Sequence, residues 1–74
     1  ALHRAASKGQ LKSARILHRN GIDIDRQNRK GETALYLAAL NGHESFVSWL
    51  LEQGADSRLA TRKGSTPLLA AIRS

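Results

Sequence analysis

Apolar residues along the chain fall into helical registers. In "TALYLAALNG", Leu35, Ala38 and Ala39 recur at i, i+3 and i+4, which is one face of a short helix, and Asn41 and Gly42 close it. Thr33 stands at the N-cap position of that helix. Its later counterpart Thr66 is followed by Pro67, a residue suited to the first helical position because its missing N–H is not needed there. In "HESFVSWLLEQG", Phe46, Val47, Leu50 and Leu51 mark the apolar face of a second helix, with Glu44 at its positive end and Gly54 at its stop. The following "ADSRLATRKG" has no helical period and ends in glycine, as an extended turn would. The predicted unit is helix, turn, helix, hairpin-like loop.

This unit recurs. Shifting the sequence by 33 positions aligns Leu2, Leu35 and Leu68, and likewise Ala5, Ala38 and Ala71. Pairs in the same register include Ala6/Ala39, Gly9/Gly42, Leu17/Leu50, Gly21/Gly54, Asp23/Asp56, Lys30/Lys63, Gly31/Gly64 and Thr33/Thr66. A fixed period of this length signals stacked supersecondary units, none of which can bury its apolar face alone. The fold class expected is all-α: a solenoid of stacked helix-turn-helix units joined by hairpin-like loops. The register divides the chain into a partial unit (1–26), a complete one (27–59) and a second partial one (60–74). Because such stacks need about three units and polar end caps, the chain is expected to be a segment of a longer array.

Composition narrows the class. A chain of 74 residues forms at most one small domain and buries only about 60% of its unfolded surface. It has no cysteine, which excludes disulfide frameworks and thiolate metal sites and makes the cytoplasm or nucleus the default compartment. No apolar run reaches the roughly 20 residues that span a bilayer, and no signal-peptide pattern is present. The net charge of +6 is lopsided: residues 1–30 carry eight Lys/Arg against two acids, and residues 31–74 carry four of each. Such a region favours acidic partners.

The stretch "GETALYLAALNGHESFVSWLLEQGAD" resembles the ankyrin repeat, whose pattern is GxTPLHxAAxxGHxxVVxxLLxxGAD; "GSTPLLAA" repeats its start and "ALHRAASKGQLKSARILHRNGID" its remainder. The departures are local. Ala34 replaces the usual Pro, Tyr36 and Leu69 replace the His, Ile72 replaces an Ala, and Asp25 and Arg58 stand where the loop usually carries Asn.

Candidate chemistry is thin. The paired "RKG" stretches at Arg29 and Arg62 lack the second glycine, the preceding strand and the Ser/Thr of a phosphate-binding loop, so Gly31 and Gly64 read as turn residues. His3 and His43 occupy family-typical structural positions and His18 a helical one; none has metal-ligand spacing. With no paired carboxylates or nucleophile motif, neither a catalytic site nor a cofactor is expected. Lys8, Lys12, Arg15 and Arg19 are spaced by 4, 3 and 4 and form a basic stripe assigned to the second helix of the first unit. It reads as a solvated face, with docking to an acidic partner, nucleic acid or anionic lipid as the alternative.

The resemblance implies a protein-interaction module or scaffold whose partner lies across the loop tips and the inner face of the first helices. Carried over to this sequence, those positions are Gln27, Arg29, Lys30, Glu32, Leu40 and Asn41 in the middle unit, and Ala60, Arg62, Lys63, Ser65 and Arg73 in the third. Ser7 and Lys8 take these places in the first unit. The expected partner is an acidic or mixed-charge protein segment meeting Arg29, Lys30, Arg62 and Lys63, with Leu40 as an apolar anchor. The alternatives are a spacer within a longer array and a surface that docks nucleic acid or lipid.

Overall fold

The computed structural model describes residues 2–73, with side chains through Ile72. Its elements are α1 (Leu2–Lys8), α2 (Leu11–Arg19), α3 (Ala34–Leu40), α4 (Glu44–Glu52) and α5 (Pro67–Arg73), with no strand among the described residues. α1 pairs with α2 and α3 with α4, while α1, α3 and α5 lie side by side. The all-α stack expected from the periodicity is the fold.

Helix starts follow local chemistry. Thr33 is extended (φ −96°, ψ 167°), and its Oγ1 accepts a hydrogen bond from the Tyr36 N–H at 3.1 Å. This satisfies one of the donors that a helix N-terminus leaves unpaired. Thr66 Oγ1 accepts from Leu69 N–H at 3.4 Å in the same way. The caps therefore form at units where Tyr36 and Leu69 replace the family histidine.

Small residues set the spacing of the inner layer. Ala5, Ala6, Ala34 and Ala38 are buried where α1 meets α3, and Ala70 of α5 is buried against Tyr36 and Ala39. Larger side chains fill the layer behind: Leu2, Leu35, Phe46, Trp49 and Leu50 form one cluster with Ala14. Burying each of Leu35, Phe46 and Leu50 stabilises the fold by about 1.5–3 kcal/mol. Trp49 packs edge-on against both Phe46 and His18, with centroids 5.9 and 5.7 Å apart. Through His18 it ties α4 to α2 across the unit boundary.

Two histidines add cross-unit hydrogen bonds. His3 Nε2 lies 2.7 Å from the Glu32 carbonyl oxygen, and His43 Nε2 lies 3.1 Å from that of Ser7. His3 thus holds the backbone of the following unit and His43 that of the preceding one, which gives both residues the structural role expected of them.

Candidate functional site: the basic loop tips

The loop between α2 and α3 ends in a tight hairpin turn built by Asn28. Asn28 N–H donates to the Glu32 carbonyl at 3.1 Å and Gly31 N–H to the Asn28 carbonyl at 2.9 Å. The Asn28 Oδ1 accepts from the N–H groups of Lys30 (2.9 Å) and Glu32 (3.0 Å). Asn side chains favour turns because they can bond their own backbone in this way. Thr61, one period later, does the same with one oxygen: Thr61 N–H donates to the Ser65 carbonyl at 2.8 Å, and Thr61 Oγ1 accepts from Ser65 N–H at 3.1 Å. These two organisers escaped the site expectation, although their shared register and their Asx-type and Thr-type turn chemistry were visible in the sequence.

Neighbouring tips are locked together. Arg62 N–H donates to the Lys30 carbonyl at 3.0 Å. Gln27 Nε2 donates to the carbonyls of Gly31 (2.9 Å) and Ala60 (3.0 Å), and Asp56 N–H donates to Asp25 Oδ1 at 2.9 Å. Gly31 sits at the closest approach, with φ +77°; a Cβ there would lie 2.8 Å from Arg62 N and 3.1 Å from the Thr61 carbonyl carbon. Only glycine meets both demands.

Between the tips lies a cleft of about 410 Å³, lined by Arg29, Lys30, Glu32, Tyr36, Thr61, Arg62 and Lys63. All four cationic side chains are exposed. Among the described residues the one ion pair is Arg58 Nε with Asp56 Oδ1, at 3.3 Å. The Arg58 backbone N–H, followed by its guanidinium, holds the Asp56 carboxyl below the usual carboxylate range. Acids near the tips are already engaged: Asn28 Nδ2 donates to Glu32 Oε1 at 2.9 Å, and Asp25 binds the next loop. The four cations are exposed and form no ion pair among the described residues, and Glu32 is the one carboxylate lining their cleft.

The remaining expected site residues are distributed as follows. Gln27 spends its amide on the loops, and Ala60 contributes its carbonyl to that bond. Ser65 is buried, and its Oγ has no hydrogen-bond partner among the described residues. Leu40 is half-buried against the Tyr36, Ala39 and Ala70 cluster, and exposed Asn41 donates from Nδ2 to the Leu37 carbonyl. The side chain of Arg73 lies outside the described residues. Ser7 and Lys8 are exposed at the end of α1. Tyr36, absent from the expected set, lines the cleft; its place at the histidine position of the motif was the signal.

The basic stripe changes as well. Lys8 closes α1, while Lys12, Arg15 and Arg19 lie on α2 beyond Gly9 and Gln10. The stripe is a three-residue helical face with Lys8 on a separate element, because the turn interrupts the register that the spacing suggested.

The family model for ankyrin repeats in many copies matches residues 2–51. The chain belongs to the ankyrin-repeat family. Ankyrin repeats generally mediate protein–protein interaction and are typically non-catalytic. The chain is 40% identical over 73 residues to the Ankyrin repeat and KH domain-containing protein mask-1 of Caenorhabditis elegans, covering 99% of this chain and 3% of that protein. It is 37% identical over 68 residues to human Ankyrin repeat domain-containing protein 40, covering 90% of this chain and 18% of that protein. An L-asparaginase of Dirofilaria immitis is 35% identical over 69 residues, covering 93% and 12%. The ankyrin segment thus spans a small part of each relative. Among the described residues no helix is long and apolar enough to cross a membrane, and no group of three His, Asp or Glu is placed to hold a metal ion.

Proposed function

We propose that this ankyrin segment is a non-catalytic binding module that holds an acidic or mixed-charge protein segment across its loop tips. Arg29, Lys30, Arg62 and Lys63 make the contact. The observation that carries this reading is the convergence of four exposed cations on one cleft lined by a single carboxylate, Glu32, with none of the four in an ion pair among the described residues. Arginine suits the role because its planar fork pairs with carboxylates through two parallel hydrogen bonds. Exposed ion pairs contribute about 0.2–1 kcal/mol each, so four of them support a modest, salt-sensitive affinity. The test is affinity capture with the full-length protein and with the variant R29E/K30E/R62E/K63E. Loss of the partner with helicity retained supports the reading. Unchanged capture removes the loop tips as the contact surface.

A second reading, in which the segment of units 1–26, 27–59 and 60–74 is a spacer within a longer array, draws on a different observation. Leu68 and Ile72 are 70% and 73% exposed, whereas their period-mates Leu35 and Ala39 are 2% and 7% exposed. In the inner units these positions are covered by packed helices. On this reading the segment captures no partner of its own, and its deletion displaces whatever flanks it.

A further inference from the structure

Two Asn-Gly dipeptides, Asn20–Gly21 and Asn41–Gly42, close α2 and α3. Asparagine before glycine is open to a covalent change, because the glycine has no Cβ to block close approach of its nitrogen. Once hydroxide removes its proton, the glycine nitrogen attacks the Asn Cγ. A C–N bond forms, the side-chain nitrogen leaves as ammonia, and a five-membered succinimide remains. Water then opens the ring. Attack at Cγ gives aspartate on an ordinary backbone, and attack at the main-chain carbonyl gives isoaspartate, with an extra methylene in the chain. Both products carry a carboxylate where an amide stood.

The two dipeptides share one local geometry. Asn20 (ψ 9°) and Asn41 (ψ 6°) keep near-helical backbones, and the glycines after them have φ +84° and +72°. Each glycine N–H is engaged, Gly21 with the His18 carbonyl at 3.0 Å and Gly42 with the Ala39 carbonyl at 3.2 Å. Ring closure brings the glycine nitrogen against Cγ, so the Asn ψ must turn far from zero and that bond must break. The reaction therefore runs through local opening of the helix end.

What the opening disturbs is different at the two sites. Asn41 Nδ2 donates to the Leu37 carbonyl at 2.9 Å, which ties the leaving group to α3. Only residues 41–43 join α3 to α4; Ala38, Ala39 and Phe46 are buried on either side, and His43 Nε2 lies 3.1 Å from the Ser7 carbonyl. Turning ψ at Asn41 displaces packed helices. Exposed Asn20 makes no side-chain hydrogen bond among the described residues, and it leads into the long connection 20–33. The bond that closes its turn, Ile22 N–H to the Leu17 carbonyl, spans 3.3 Å, against 2.9 Å for its counterpart, His43 N–H to the Ala38 carbonyl. Opening there frays one helix end.

We propose that Asn20–Gly21 is a site of spontaneous deamidation in the folded protein, and that the fold protects Asn41–Gly42. The new acid stands beside Arg19 at the end of the basic α2 face formed by Lys12, Arg15 and Arg19, and it lowers the net charge of +6 by one. A helix C-terminus carries a negative partial charge, so the carboxylate also weakens the last turn of α2.

The full-length protein is incubated at mildly alkaline pH, native or unfolded in guanidinium chloride, and sampled over time. Tryptic peptide mapping by mass spectrometry follows both sites separately, since cleavage after Arg19, Arg26, Lys30 and Arg58 puts them on different peptides. In the native protein Asn20 is expected to convert at least about tenfold faster than Asn41, the factor that a difference of about 1.4 kcal/mol in local opening gives. In the unfolded protein the two rates should converge. Equal native rates, faster conversion of Asn41, or no native conversion of Asn20 overturns the proposal. A rate difference that persists unchanged in guanidinium also overturns it, because the difference then belongs to the flanking sequence and not to the fold.

Discussion

At Gly31 two loops meet, and the residue has no room for a side chain. Its positive φ costs an ordinary residue about 1–2 kcal/mol, and a Cβ would also press on the backbone of Thr61 and Arg62, which cannot swing aside as a side-chain end could. Gly64 has nearly the same φ (+79°) but open space around its missing Cβ. Gly31→Ala is therefore expected to destabilise by about 2–4 kcal/mol and Gly64→Ala by about 1–2 kcal/mol. Urea midpoints followed by Trp49 fluorescence check the order; equal costs would mean that the close loop contact is absent. The sequence marks both glycines as turn residues, but it cannot separate them, because the difference lies in what the neighbouring unit places against each. Asp56 gives a second residue-scale test. Its depressed carboxyl is charged above 3.8 and contributes its loop bond there; that contribution fades as pH falls through the folded value. An NMR titration should place its midpoint below 3.8, and Arg58→Ala should raise it only partway, since the backbone N–H remains.

Among the elements, α4 is the keystone, because its buried face meets both α3 and α2. Phe46 is 1% exposed, so Phe46→Ala is expected to cost about 3–5 kcal/mol. Ile16, 56% exposed on α2, should cost under about 1 kcal/mol when changed to Ala. Thermal melts of the two variants decide the point, and similar losses would contradict the burial pattern. Helix positions were legible because the i, i+3, i+4 spacing, the Thr caps and the closing glycines all coincide. The edge contact between His18 and Trp49 was not, since it joins residues of different units whose own period-mates, Leu51 and Ile16, are exposed. Likewise the Lys8 to Arg19 spacing looked continuous until the turn at Gly9 and Gln10 split it between α1 and α2. Spacing alone does not reveal where a helix stops.

For the whole molecule, the 33-residue period carried the architecture, and stacking then brought Arg29, Lys30, Arg62 and Lys63 to adjacent tips. That juxtaposition was readable from the repeat, whereas the diversion of Gln27 into loop-to-loop bonds and the burial of Ser65 depend on contacts between units. A molecule with net charge +6 attracts acidic partners in any orientation, so location has to be separated from charge. Two variants change the net charge equally: R29E/K30E/R62E/K63E at the loop tips, and K8E/K12E/R15E/R19E at the end of α1 and along α2. The most direct measurement is their affinity for an acidic partner segment at fixed ionic strength, beside the unaltered protein. If the loop tips are the site, the first variant loses at least about tenfold, the combined effect of several exposed ion pairs, and the second keeps most of its affinity. Equal losses in both would show that binding follows net charge and that the tips hold no site.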